Sequence, residues 1–334
     1  MANDKITIAC GDYDVTRAIV KGSLSLPGFD LRIREMNNIA AMFTGMFKGE
    51  YDVSEMSLAE LIYYRSRGND DFIAIPVFPV RCFRHGFILC DTTIKEPQDL
   101  NRKKIGFMRW VQTAAIWMRG ILVEEYGISP LETEWYVASI HHWEDGEGDE
   151  ITPRDGSVLR RVERRDKDAF QNAYAALLQG EINALGSTKP STPLIQKEKR
   201  IKRLFENYRD TEANYFRKTK IIPIMHVLVV RTTLVSRYPD LARNLFHLFA
   251  ESKRLGQEWA KSAPSSVLAW KDNYLDTEKE VFQSDPWAYG LNVNRHLLSK
   301  FLSYCHNQGI SDRKLDPQEL FASTTWELTE SRSA

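Results

Sequence analysis

Long apolar runs are missing from this sequence, as are any imbalance of charge, any paired-cysteine motif and any glycine-rich phosphate signature. No stretch approaches the ~20 apolar residues that span a bilayer. Lys+Arg and Asp+Glu each total 45, so the formal net charge is zero. A neutral chain gives no electrostatic case for nucleic acid or an anionic membrane as partner. The four cysteines, Cys10, Cys82, Cys90 and Cys305, show no CxxC spacing and sit in apolar contexts. They read as reduced, buried thiols, which fits the cytoplasm. Met-Ala-Asn-Asp-Lys leads straight into a strand-like run without a cationic and then apolar leader, so no secretory signal is expected. GxSxG, HExxH, P-loop and GxGxxG patterns are absent. His141 and His142 adjoin on one loop with no third His or Cys at ligand spacing, so no metal is expected.

What is present is the profile of a soluble globular protein, 43% apolar and 27% charged. A length of 334 residues exceeds one ordinary core and suits two α/β lobes. Lys5–Cys10 is β-prone, and Gly11-Asp12-Tyr13-Asp14 supplies turn and cap chemistry ahead of a helix from Thr16. Further strands are predicted at Leu31–Met36, Tyr51–Met56, Phe72–Phe78 and Gly86–Cys90. Helices are predicted at Ala40–Phe47 and Leu58–Arg65, the latter capped by Ser57. This alternation argues for a parallel or mixed sheet covered on both faces.

After Ile105-Gly106-Phe107 the pattern predicts a helix from Thr113 to Tyr126, stopped by Gly127 with Pro130 beyond. Trp135–Ala138 reads as a strand, His141–Arg154 as an exposed loop and Asp168–Leu178 as a helix. Gly180–Leu185 reads as a helix end passing into a strand. Ile221–Val230 is strongly apolar, and helices are expected at Pro239–Ser262, Leu268–Phe282 and Arg295–Asn307. No internal repeat is found.

Several segments in order carry a resemblance: Ala9-Cys10-Gly11-Asp12-Tyr13-Asp14-Val15-Thr16-Arg17, Tyr51-Asp52-Val53-Ser54-Glu55-Met56-Ser57, Phe72–Pro79, Arg81-Cys82-Phe83-Arg84-His85, Thr113–Leu122 and Ile222-Pro223-Ile224-Met225-His226-Val227. Together they resemble the 4,5-dihydroxyphthalate decarboxylase family, a cytoplasmic branch of the type II solute-binding-protein superfamily. The resemblance runs from about Ile6 to about Phe321. It implies an α/β, two-lobed, type II periplasmic-binding-protein-like fold, with the second lobe inserted into the first and a ligand cleft between them. The first lobe would combine residues 1–91 and 206–334, and the second would be 92–205. One departure stands out: where the family carries a Gly-rich, acidic turn, this chain has Ser139-Ile140-His141-His142-Trp143-Glu144-Asp145.

The activity the resemblance implies is non-oxidative, cofactor-independent decarboxylation of a hydroxylated aromatic diacid, 4,5-dihydroxyphthalate to protocatechuate. Direct loss of CO2 would leave an aryl carbanion. The accessible route protonates the ring carbon while the para hydroxyl gives up its proton, so the site needs cations, a base and an acid. Arg81, Arg84 and His85 interrupt two apolar strands at an expected lobe crossing, and Arg suits carboxylate oxygens. Without the resemblance they read as a solvated basic turn. His226 sits in an apolar strand and reads either as a core histidine or as a partner of His85 dividing acid and base work. Glu55 is a candidate base or one half of a structural pair. Asp12, Asp14 and Ser57 lie after strands and are either caps or ligand contacts. Gln112 and Thr113 begin a helix whose N–H groups can cradle an anion. Thr188, with Ser187 and Lys189, follows a strand end and either faces the ligand cleft or serves as a loop without ligand contact, whereas Arg119 is expected on the surface or pairing the lobes. A small-molecule aromatic acid is thus the expected partner, and a homo-oligomer stays open. So do two other functions, a protein that only binds an aromatic acid and a decarboxylase of a different hydroxyarene acid.

Overall fold

The computed structural model describes residues 4–140, 151–189, 192–262 and 267–330. The histidines His141 and His142, with most of the divergent loop, lie outside these. Eleven strands occur among the described residues: β1 Asp4–Cys10, β2 Phe29–Glu35, β3 Val53–Ser57, β4 Phe72–Ile75, β5 Ile88–Asp91, β6 Lys104–Arg109, β7 Glu134–Ser139, β8 Val158–Arg161, β9 Ala184–Gly186, β10 Ile201–Arg203 and β11 His226–Arg231. They form two sheets, and the chain divides into two compact units.

The first unit combines Met1–Arg81, Ile224–Ser299 and Asp316–Ala334. Its sheet has the order β2-β1-β3-β11-β4. β1 runs parallel to β2 and β3, and β11 runs antiparallel to β3 and β4. The central strands are rich in apolar residues, with Ile6, Ile8, Val53, Ala74 and Val227–Val230 fully buried, although β3 also buries Ser54, Glu55 and Ser57. Such runs, without alternation, are what a sheet covered on both faces requires. The helix Ile39–Phe47 starts where Asn38 Oδ1 accepts Ala41 N–H at 3.1 Å. The helix Leu241–Lys261 turns Leu241, Leu245, Phe246, Leu248 and Phe249 inward. β4 is shorter than the predicted Phe72–Phe78. Pro76 brings no N–H to the ladder, and Val77 N–H turns back to Ile75 O at 2.6 Å.

The second unit is Cys82–Pro223 with Lys300–Leu315. Its sheet runs β10-β5-β9-β6-β7-β8, with β6 to β9 parallel and β5 and β10 antiparallel additions. The helix Thr113–Tyr126 occupies the predicted span and ends on Gly127 at φ +68°, whose N–H bonds Leu122 O. Residues 113–122 are all buried, so it is a core helix rather than a surface one. Trp117 stacks on Phe301 at 4.9 Å, and a Cβ at Gly120 would run into the Tyr304 ring. Arg119 is fully buried instead of surface-exposed: Nε bonds Gln308 Oε1 at 2.7 Å and the guanidinium lies 3.7 Å over Trp110. These contacts explain why 300–315 groups with the second unit. The division falls at 81/82, 223/224, 299/300 and 315/316, rather than at 91/92 and 205/206. The helix Tyr208–Thr219 also belongs here. Two edge strands, β8 and β10, and this helix have no counterpart in the sequence prediction.

Candidate functional site

In an open sheet of order β2-β1-β3, the chain passes from β1 to β2 on one side and then crosses to β3 on the other. Ligands bind outside the carboxyl ends of the strands at such a switch point. The first unit places Gly11–Asp14 after β1 and Glu55–Ser57 at the end of β3. Antiparallel β11 begins at this same edge, with His226 opposite Ser57. Main-chain bonds from Met225 and His226 N–H to Val80 O, at 2.8 and 3.3 Å, tie that start in place.

The result is a carboxylate–imidazole pair. Glu55 is 0% exposed, and its Oε1 accepts Gly11 N–H at 2.7 Å. Its Oε2 meets His226 Nδ1 at 3.1 Å. Nearby, burial and then the Glu55 charge hold the Tyr13 phenol above its ordinary range. An ionised carboxylate only accepts, so the His226 contact is satisfied by Nδ1–H donating to Glu55. The imidazole is thereby set with Nε2 as its free, basic nitrogen. The Phe43 ring meets it edge-on at 5.2 Å, and the His226 side chain keeps 12% exposure. Glu55 and His226 are therefore brought together.

The other candidates of this unit are held by their own surroundings. Arg81 is buried, its Nη2 donating to Ala288 O at 2.7 Å and Asn294 Oδ1 at 2.8 Å. Burial lowers this guanidinium to about 10. Asp12 lies 3.3 Å from both Arg17 Nε and Lys21 Nζ. Burial acts to raise its carboxyl, and these two cations outweigh it and hold it below its ordinary value. Asp14 is exposed and pairs with Arg17 at 3.3 Å. Ser57 precedes the helix Leu58–Ser66 without making the predicted side-chain cap. The strand geometry of β3 continues through Ser57, and Leu58 N–H is taken by Met225 O at 3.2 Å.

His85 belongs to the second unit and His226 to the first. Within its unit His85 is 1% exposed and ringed by Tyr126, Phe205 and Tyr215 at 6.1, 5.2 and 5.2 Å. Neither ring nitrogen has a hydrogen-bond partner among the described residues. Burial therefore pushes it down to about 4, a neutral imidazole in an aromatic box. Beside it, Glu212 accepts Gly86 N–H at 3.2 Å. Burial raises this carboxyl to about 7, against the opposing effects of the Gly86 and His85 N–H groups and of Arg84.

These two shifts have opposite consequences for stability. The unfolded chain protonates His85 near 6.5 but the folded one only near 4, so its contribution is lost as pH falls through that window. The folded chain keeps the Glu212 proton to about 7 while the unfolded one releases it near 4.5, so that contribution is lost as pH rises. Each slope reaches at most ~1.4 kcal/mol per pH unit, and the two offset one another where they overlap. His85→Phe should leave a protein whose urea midpoint falls from pH 5 to pH 7. Glu212→Gln should leave one whose midpoint rises over the same interval. Equal trends in the two variants would contradict the assignment.

Arg84 is buried, 4.9 Å from the Phe87 ring, and desolvation lowers it while Cys82 and Glu212 act the other way. Thr113 is buried at the start of its helix, with Gln112 at the N-cap. The Oε1 of Gln112 is buried without a hydrogen bond among the described residues, and the first-turn N–H groups there can hold an anion. Thr188 Oγ1 contacts Met108 Sδ at 3.8 Å. Ser187 Oγ accepts Lys189 N–H at 3.0 Å, and Lys189 lies 4.0 Å over the Phe170 ring. Among the described residues no group of three His, Cys, Asp or Glu stands as a metal site. Sequence reasoning passed over Tyr13 and Glu212. The signal for Tyr13 was Gly11, where a Cβ would strike the Tyr13 ring: a glycine two residues before a tyrosine lets the ring fold back over the strand end.

Comparison with known proteins agrees with this architecture. No protein-family model matches the chain. The periplasmic aliphatic sulphonate binding protein of Escherichia coli superposes with a TM-score of 0.57 at 12% identity, over 97% of this chain and 99% of its own. The fold is accordingly of the type II periplasmic-binding-protein kind. A 4,5-dihydroxyphthalate decarboxylase of Pseudomonas putida is 26% identical over 217 residues, covering 64% of this chain and 81% of that protein. The 4,5-dihydroxyphthalate decarboxylase of Comamonas testosteroni is 30% identical over 329 residues, 96% of this chain and 97% of the relative. With that identity along nearly its whole length, the chain belongs to the 4,5-dihydroxyphthalate decarboxylase family.

Proposed function

We propose that the protein decarboxylates 4,5-dihydroxyphthalate to protocatechuate without oxidation, using His226 as base and Glu55 to hold it. The observation that carries this reading is the buried Glu55–His226 pair at the switch point of the sheet, in a chain 30% identical to a protein of that activity. His226 Nε2 removes the proton of the hydroxyl para to the departing carboxylate. The oxyanion pushes electron density onto the ring carbon that bears the carboxylate, and that carbon takes up a proton drawn from solvent. The bond to the carboxylate then breaks, its electron pair restores the aromatic ring, and CO2 leaves. His226 returns its proton to the phenolate, so one carboxylate is exchanged for one hydrogen with net uptake of one proton. The four free cysteines support a reducing compartment such as the cytoplasm.

Turnover in D2O tests this. Protocatechuate should appear with equimolar CO2 and one deuterium at the vacated ring carbon. Tight binding of the diacid without CO2 would instead make the protein a capture protein. Neither binding nor turnover would point to another hydroxyarene acid.

A further inference from the structure

The helix Lys271–Phe282, in the first unit, buries none of its residues. The helix Tyr208–Thr219, also of 12 residues, at least buries Tyr215 and Phe216. A helix this short is marginal in water by itself and takes its stability from an apolar face packed on something. Here large apolar side chains face solvent: Trp270 is 72%, Leu268 59% and Tyr274 42% exposed, and Val267 is fully exposed. Trp270, Tyr274 and Val281 recur at helical spacing and form a stripe along one side. Together these residues leave about 500 Å² uncovered on each copy, the larger part of the ~800 Å² that one partner gives to a standard interface.

The start of the helix is fixed in place. Lys271 Nζ donates to Ser262 O at 3.0 Å and Lys261 O at 3.4 Å, at the end of the helix Leu241–Lys261. An ammonium has three donors, so one is left over, and its ion pair to the exposed Asp272 is a long 3.9 Å. Glu278 follows about two turns later on the same flank of the stripe. It has no hydrogen bond or ion pair among the described residues. The patch is thus apolar along its middle, with one cation and one anion beside it.

We propose that the helix Lys271–Phe282 is the seam of a homodimer, laid antiparallel against its own copy. With a two-fold axis between Tyr274 and Leu275, Lys271 meets Glu278 of the partner subunit at both ends of the seam, and the two Trp270–Tyr274 stripes cover one another. A second copy is the occupant because a two-fold interface must supply both signs of charge from one patch, at positions that exchange under the rotation. Lys271 and Glu278 stand at such positions.

Sedimentation velocity of the full chain at micromolar concentration tests this without any substrate. The wild type should sediment at twice the mass of one chain or an even multiple of it. Trp270→Asp should halve that mass and weaken association about thirtyfold or more, the scale of a buried tryptophan anchor. Trp270 is exposed in the single chain, so the substitution does not reach the core, and circular dichroism checks that each variant is folded. Lys271→Glu and Glu278→Lys should each dissociate the pair by like charges. Mixing these two variants should restore it, because every contact then joins opposite signs. A monomeric wild type overturns the proposal, as does an oligomer that Trp270→Asp leaves intact. Charge variants that dissociate alone and stay apart when mixed overturn the antiparallel pairing.

Discussion

His226→Asn should lower kcat about a thousandfold, the usual scale for removing a positioned general base, while KM changes little. Asparagine is the informative replacement because its amide N–H can still donate to Glu55 Oε2, now 3.1 Å from Nδ1. The buried carboxylate then keeps a donor on each oxygen, and the fold is spared an unpaired charge at 0% exposure. What disappears is the second ring nitrogen, the one atom of the pair able to take a proton from substrate. Steady-state kinetics on 4,5-dihydroxyphthalate, with a urea melt as control, checks this. Turnover within threefold of wild type in a folded variant would return His226 to the role of a core histidine.

That outcome bears on how far this protein could be read from its sequence. The strand–helix alternation and its two-sheet consequence were legible, because strands of a sheet covered on both faces are rich in apolar residues and β1, β4 and β11 carry such runs. The helix Thr113–Tyr126 was legible to the residue, since Gly127 can take the left-handed conformation that ends it. The helix Tyr208–Thr219 was not legible: it buries Tyr215 and Phe216 alone, too few apolar positions to reveal a 3.6-residue period. β8 and β10 are short edge strands, and they exist because neighbouring strands offer a register, which is tertiary information.

The site divides in the same way. Residue type and strand position flagged Glu55 and His226, but their pairing depends on β11 running antiparallel beside β3, and nothing local to either segment encodes that. Arg81 and His85 were flagged by the same logic of polar residues in an apolar run. Long-range neighbours, Asn294 for one and Phe205 for the other, decide what each of them does. Polar residues inside apolar strands thus mark places where the fold spends a hydrogen bond, and the partner tells which of them remain open to chemistry.

Glu55→Gln should cost as much as the loss of His226, about a thousandfold in kcat or somewhat more, although the replaced carboxylate need not touch the substrate. Glutamine is the same shape and can keep its Oε1 on Gly11 N–H, now at 2.7 Å. Its Nε2 then faces His226 Nδ1 as a donor, so Nδ1 must become the acceptor and the imidazole proton moves to Nε2. The base is present, correctly placed and already protonated. The same inversion at the aspartate of the Ser-His-Asp triad costs about 10⁴ in kcat. Turning the amide over does not rescue it, because Nε2 would then meet Gly11 N–H, donor against donor. Glu55→Asp retains the charge but is one methylene short, and should fall between wild type and Glu55→Gln. The decisive measurement is the double variant: if Glu55 acts through His226, then Glu55→Gln in the His226→Asn background should lower kcat by less than about twofold further. Multiplication of the two losses would instead show Glu55 working on the substrate directly, as a second base for the phenol.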